Sequence, residues 1–241
     1  MRRTLVGGAA LLAATVACSS VVVVLGATVL AVEPAAPRDR AAPAFVSPEG
    51  RPLQVTVLGT SLSSASRYRW PDEVGAELSR RIARPVEVHR VAQPGGTSTW
   101  GTTQIERVAA TRPDVVVVEL SVNDADVRHH LSVRDSVARH ESILDGLASA
   151  RPEASVVLVT MSPAVGPRAW ARPFLSRYYA AYVALAQRHD AGLVDLYPRW
   201  NALPADEREL GDGLHPSDTA ATRVVVGPVV GILAAAAAAG R

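Results

Sequence analysis

Lysine does not occur in this sequence, and cysteine occurs once, as Cys18. A single thiol excludes an intramolecular disulfide and any zinc site built from cysteines, so the fold must be held by its apolar core. With no lysine, the 25 basic residues are all arginine, and 23 Asp and Glu nearly balance them. The arginines are scattered along the chain, which argues for solvated faces and against nucleic acid as a partner. No repeat of useful period is present, which excludes a solenoid or propeller. At 241 residues the chain suits one well-packed domain with an appendage and is short for two.

Charge is missing altogether from one long stretch. Arg2 and Arg3 precede an uncharged, mostly apolar run from Thr4 to Val32. Its length exceeds both a signal-peptide core and the roughly 20 residues that cross a bilayer. Residues 1–32 therefore read as a signal anchor, with a cleaved signal peptide as the alternative, since Val29-Leu30-Ala31 is a passable cleavage site. The leading arginines favour a cytoplasmic N-terminus, which places the rest of the chain outside the cytoplasm, or secretes it if the signal is cleaved. From 33 to 52 the composition shifts to Ala, Pro and Arg, the pattern of an extended tether. A folded domain is expected over 53–241.

Within that domain, short β-branched runs alternate with helical patterns. Strands are expected over Leu53–Leu58, Val86–Val91, Asp114–Leu120, Ser155–Thr160 and Leu193–Leu196. The four consecutive valines of the third suit a strand buried on both faces. Helices are expected from Pro71 to about Ala83, Thr103 to about Thr111, Ser132 to Ala150 and Pro173 to His189, with a last one after Ser217 or Asp218 whose Ala-rich tail frays. Five strands separated by helices imply an α/β fold with a parallel sheet covered on both faces.

Ligands of open α/β sheets bind beyond the carboxyl ends of the strands. Those ends carry Gly59-Thr60-Ser61, then Pro94-Gly95-Gly96-Thr97, then Ser121-Val122-Asn123-Asp124, and, after the fifth strand and a longer loop, Asp212-Gly213-Leu214-His215. Together they make an acyl-transfer set. Ser61 is a weak nucleophile until a base removes its proton; His215 is the candidate base and Asp212 its orienting partner. The charge that develops on a carbonyl oxygen needs fixed donors, for which the side-chain amide of Asn123 and the backbone N–H groups of Ser61 and Gly96 are the candidates, with Gly95 an alternative to Gly96.

These four blocks, taken in order, resemble the SGNH hydrolase superfamily, the GDSL esterases and lipases. The family's Ser, Gly, Asn and Asp-x-x-His fall on Ser61, Gly96, Asn123, and Asp212 with His215, and the resemblance runs from about Val55 to Pro216. It implies a flavodoxin-like three-layer α/β/α sandwich with a five-stranded parallel sheet. It also implies catalysis with neither metal nor organic cofactor, and hydrolysis of small-molecule or glycan acyl esters. Two positions depart from the family pattern: Thr60 stands where an Asp usually precedes the nucleophile, and Ser121 replaces a Gly of the third block.

The expectation that follows is an extracytoplasmic serine esterase, membrane-bound through its N-terminal segment, that removes small acyl groups from an envelope glycan or glycolipid. An acyltransferase using the same Ser/His site, or a catalytically silent carbohydrate-binding module, are the competing readings. His129 and His130 are placed to edge the cleft, and the loop from Met161 to Arg172, with Trp170 and two arginines, to wall it. Arg67, Tyr68, Arg69 and Trp70 stand similarly after the nucleophile. His89, His140 and His189, within a strand or on helices, read as structural, and Asp195 as a loop hydrogen-bond acceptor.

Overall fold

The computed structural model of the protein describes residues 35–240, apart from Val46 and Glu49. The signal anchor or signal peptide expected over 1–32 lies outside the described residues, as do the first two residues of the expected linker.

Five strands form one parallel sheet: β1 (Leu53–Gly59), β2 (Val86–Ala92), β3 (Val115–Glu119), β4 (Ser155–Thr160) and β5 (Gly192–Asp195), in the order β2-β1-β3-β4-β5. This is the flavodoxin-like order, with its switch point between β1 and β3. Helix α1 (Trp70–Ile82) follows β1; α2 (Ser98–Thr102) and α3 (Ile105–Ala110) follow β2; α4 (Ser121–Asp124) and α5 (Val133–Ala150) follow β3. After β4 come α6 (Pro167–Trp170) and α7 (Leu175–Arg188), and after β5 come α8 (Leu196–Ala202) and α9 (Asp218–Ala239).

The valine run of β3 explains the layering. Side chains alternate across a strand, so Val115 and Val117 join Val55, Val57, Val157 and Val159 against α1, α8 and α9. Val116 and Val118 join Leu58, Leu158 and Leu193 against α5 and α7. Both faces are thereby buried, giving the three-layer sandwich expected. Local signals mark the helix starts. Pro71 and the acidic Asp72 and Glu73 lie in the first turn of α1, with Arg80 and Arg81 in its last. Ser132 and Asp135 form a capping box on α5, and the Ser217 hydroxyl accepts from Ala220 N–H on α9.

Two expectations are corrected, and one helix is added. The described residues of the tether expected over 33–52 belong to the folded unit: Arg40 makes an antiparallel bridge with Leu193, the Pro43 carbonyl accepts from Ser155 Oγ, and Phe45 is buried. The segment covers the exposed edge of β5, and so is ordered by pairing rather than by its own composition. The helix expected over Thr103–Thr111 is present as α3, and ahead of it the structure adds the short α2, whose Ser98 N–H bonds Asp124 Oδ1 at 2.7 Å. The last helix does not fray: it runs to Ala239, with Ala236 buried and Gly240 so close to Phe45 that a Cβ would meet its carbonyl oxygen at 2.1 Å.

Candidate active site

Ser61 sits in the turn that leaves β1. Behind it lies Glu119, the last residue of β3 and the register partner of Gly59. Thr60 N–H and the hydroxyls of Thr60 and Ser63 all donate to the Glu119 carboxyl, at 2.9–3.1 Å. Thr60 Oγ1 also accepts Leu62 N–H at 3.1 Å, a local bond within the turn. Glu119 is fully buried; burial pushes its pKa up to about 7, against the pull of the Thr60 and Ser63 donors. Gly59 is required by this packing, because a Cβ there would lie 2.5 Å from Ser63 Oγ. The turn is pinned further by Trp70 Nε1–H, which donates to the Leu62 carbonyl at 2.7 Å.

His215 reaches Ser61 from the loop before α9. Its Nε2 lies 2.8 Å from Ser61 Oγ and its Nδ1 lies 2.7 Å from Asp212 Oδ2. A carboxylate on Nδ1 fixes the proton there, leaving the Nε2 lone pair toward the serine hydroxyl. Asp212 is itself held: its Oδ1 accepts the backbone N–H groups of Leu214 and His215 at 3.1 and 2.8 Å. Burial alone would raise the Asp212 pKa, but these donors and the His215 ring outweigh it and hold it well below the usual carboxylate range. For His215 burial wins, lowering its pKa despite the Asp212 partner. Gly213 makes the turn possible, with φ +84° and a Cβ position only 2.6 Å from the Val165 carbonyl. Three long-range bonds seat the loop: Tyr68 OH to the Pro216 carbonyl, Ser162 Oγ to the Leu214 carbonyl and Val165 N–H to the Gly213 carbonyl.

The opposite wall comes from β2 and β3. Asn123, buried on α4, donates from Nδ2 to the Gly96 carbonyl at 2.9 Å, which leaves its second amide hydrogen for another acceptor. The backbone donor is corrected here. Gly96 N–H closes its own turn onto the Gln93 carbonyl at 2.9 Å and does not serve the cleft. Gly95 lines the cleft instead, and neither its N–H nor that of Ser61 has an acceptor among the described residues.

Beneath Asn123 lies Arg172, 4% exposed. Its Nε donates to the Val122 carbonyl at 2.9 Å, and its Nη2 pairs with Asp126 at 2.9 Å and reaches Asn123 Oδ1 at 3.4 Å. Asp124 ties the same loop to its neighbours by accepting from Ser98 N–H and Ser136 Oγ.

These loops enclose a cleft of about 320 Å³ that Ser61, Gly95, Asn123 and His215 all line. Arg67, Arg128, His129, Arg168 and Arg172 border it, so His129 and both loop arginines fall where expected. His130 and Trp170 are not among its walls, and Ser121 is buried at the start of α4. A larger hollow, of about 670 Å³, lies at the opposite edge of the sheet near Leu53 and Pro85 and carries none of the four blocks. The structural histidines are accounted for: His89 bonds Gln54, His140 is buried against Tyr182 and Ser136, and His189 faces Asp145. Asp195 accepts from Thr160 Oγ1 and from Arg38.

Sequence reasoning passed over Glu119, whose one signal is a lone carboxylate closing an apolar strand, and the buried pairing of Arg172 with Asp126, for which no local signal exists.

No curated protein sequence matches the chain. Among solved structures it is similar to the lipase/acylhydrolase from Enterococcus faecalis, with 21% identity, a TM-score of 0.67 and coverage of 76% of this chain and 96% of that one. It is also similar to a carbohydrate esterase family 3 protein from Talaromyces cellulolyticus, with 17% identity, a TM-score of 0.60 and 76% and 95% coverage. Est24, a carbohydrate acetylesterase from Sinorhizobium meliloti, gives 16% identity, a TM-score of 0.61 and 76% and 99% coverage. At such identities these likenesses speak for the fold. The sequence itself matches the GDSL-like Lipase/Acylhydrolase family over residues 57–223, from within β1 to the first turns of α9 and through every loop of the cleft. The chain therefore belongs to that family, the SGNH hydrolases, and is a serine ester hydrolase.

Proposed function

We propose that this protein is an extracytoplasmic, membrane-anchored esterase that removes small acyl groups, acetyl foremost, from an O-acylated envelope glycan or glycolipid, with Ser61 as nucleophile, His215 as base and Asp212 as its orienting partner. One observation carries the catalytic part: Ser61 Oγ, His215 Nε2, His215 Nδ1 and Asp212 Oδ2 form a continuous relay of 2.8 and 2.7 Å contacts at the mouth of an open cleft. Ser61 Oγ attacks the ester carbonyl as His215 Nε2 takes its proton. The oxyanion that forms is met by Ser61 N–H, Gly95 N–H and the free amide hydrogen of Asn123. Collapse expels the alcohol, which takes the proton back from His215 and leaves the acyl group on Ser61. Water, deprotonated by His215, then attacks the acyl-enzyme, releasing the carboxylic acid and restoring the serine.

The substrate class rests on three supports. A cleft of about 320 Å³ is at the small end of ligand sites, which suits a short acyl chain. Two of the structural neighbours are a carbohydrate esterase and a carbohydrate acetylesterase. The apolar run Thr4–Val32 behind Arg2 and Arg3 supports the reading of a signal anchor with the domain on the outer side of a membrane.

The test compares Ser61→Ala and Asn123→Ala on a panel of acyl esters. Ser61→Ala removes the acyl acceptor and is expected to abolish turnover. Asn123→Ala leaves nucleophile and base in place but removes one oxyanion donor, and is expected to lower kcat by about 10²–10³ with little change in KM. Folded variants that both keep wild-type turnover would refute the assignment, and faster hydrolysis of long-chain than of acetyl esters would refute the small-acyl substrate.

A further inference from the structure

Four large apolar side chains are exposed among the described residues: Val127, Val165, Trp170 and Phe174, with Trp170 80% exposed. None of the four lines the cleft itself, but all lie on the two segments whose Arg128, Arg168 and Arg172 border it, and so flank its rim. Val165, Trp170 and Phe174 lie on the segment that follows β4, and Val127 N–H bonds the Ala171 carbonyl at 2.9 Å, fastening the post-β3 loop beside them. Soluble surfaces scatter such residues singly, so their collection beside one site marks a contact surface.

The charge around this rim is net positive: Arg67, Arg128, Arg168 and Arg172 border the cleft against Asp126, which pairs with both Arg128 and the buried Arg172. Arg168 lies 3.5 Å from Asp212, and Arg177, in the first turn of α7, adds a further cation. The Arg177 guanidinium lies 5.0 Å from the centre of the Phe174 ring. Aromatic side chains interleaved with arginine form the chemistry of a lipid headgroup region, where the ring's apolar body and the cation are both accommodated.

The point at which the chain enters the folded unit selects the same partner. Arg38, through its backbone N–H and its Nε, is bound to Asp195 at the carboxyl end of β5, the edge of the sheet that carries the cleft. Six residues lead from Val32, the end of the apolar run, to Arg38, and they reach at most about 20 Å. From β5 to β1 is three strand spacings, about 14 Å. The expected tether is thus spent on docking along β5, and few residues separate that docking from the end of the apolar run.

Resting on the anchor reading above, we infer that the rim of Val127, Val165, Trp170 and Phe174 with its arginines seats on an anionic lipid surface, so that the esters taken by the cleft are those displayed at the membrane the protein is anchored in. The full chain, reconstituted into vesicles of phosphatidylglycerol and phosphatidylcholine with brominated acyl chains, tests this through tryptophan emission. Trp70 and Trp200 are fully buried and Trp100 partly so, and comparison with Trp170→Phe isolates the rim tryptophan. Bromine is expected to quench a component of the parent emission that Trp170→Phe lacks, and to quench it less in phosphatidylcholine alone. The Ser61→Ala chain is expected to behave like the parent, since quenching needs no turnover. Failure to float with the vesicles would sink the anchor reading and the docking together. Flotation without the Trp170 component would sink the docking alone and leave the aromatic rim to a soluble glycan. Equal quenching in phosphatidylcholine would overturn the anionic surface.

Discussion

His215 is useful as a base only when neutral, and its surroundings set where that holds. Burial lowers its pKa, Asp212 raises it in part, and Arg67 and Arg168 lower it again. Activity, measured as kcat/KM, is therefore expected to rise with pH through an apparent pKa below the ordinary histidine value of about 6.5 and to be flat above it. A midpoint above neutrality would show that another group limits the reaction. Glu119 gives a pH effect on stability of the opposite sign. Its folded pKa of about 7 is raised above the ordinary 4.5, so the folded state keeps a proton that the unfolded state releases. The contribution is present below the unfolded value and lost as pH rises toward 7, on the order of 3 kcal/mol across that window. Glu119→Gln, which cannot titrate, should flatten the fall in melting temperature between about pH 5 and 7.5. If the variant falls as steeply as the parent, another group is responsible. Thr60 shows how a departure from the family pattern is absorbed: its hydroxyl bonds Glu119 and Leu62 N–H.

The strands were legible as elements because their signals are local. Each is a short apolar run bounded by turn residues, and all five expected strands are present within a residue or two of the expected bounds. Elements ordered by distant partners were not. Phe45 lies in an Ala- and Pro-rich stretch with no periodicity, yet it is 4% exposed and packs in the core with the end of α9. Phe45→Ala is expected to lower unfolding free energy in urea by about 3 kcal/mol, as for other buried phenylalanines. A tether residue would cost less than about 0.5 kcal/mol, so a change that small would return the segment to its sequence reading. The short helices α4, α6 and α8, of four to seven residues, were likewise beyond periodicity, since no apolar stripe can be recognised in so few positions.

At the scale of the molecule, the sheet order brings together four loops separated by up to 154 residues, the span between Ser61 and His215. A parallel sheet with its switch point between β1 and β3 opens a crevice there, and all four blocks end at that edge. The same edge holds Arg38, bound to Asp195 at the end of β5. The sequence by itself determined the fold class, the candidate site residues Ser61, Asn123, Asp212 and His215, and the loops that hold them, because strand patterning and turn chemistry act over a few residues. Only the tertiary structure decided that Gly95 rather than Gly96 faces the cleft, that Glu119 stands behind Ser61, that Arg172 lies beneath Asn123, and that the supposed tether is part of the domain. Each of these depends on which hydrogen-bonding group meets which across the packed loops and sheet, and such pairings have no counterpart in the local pattern of the chain.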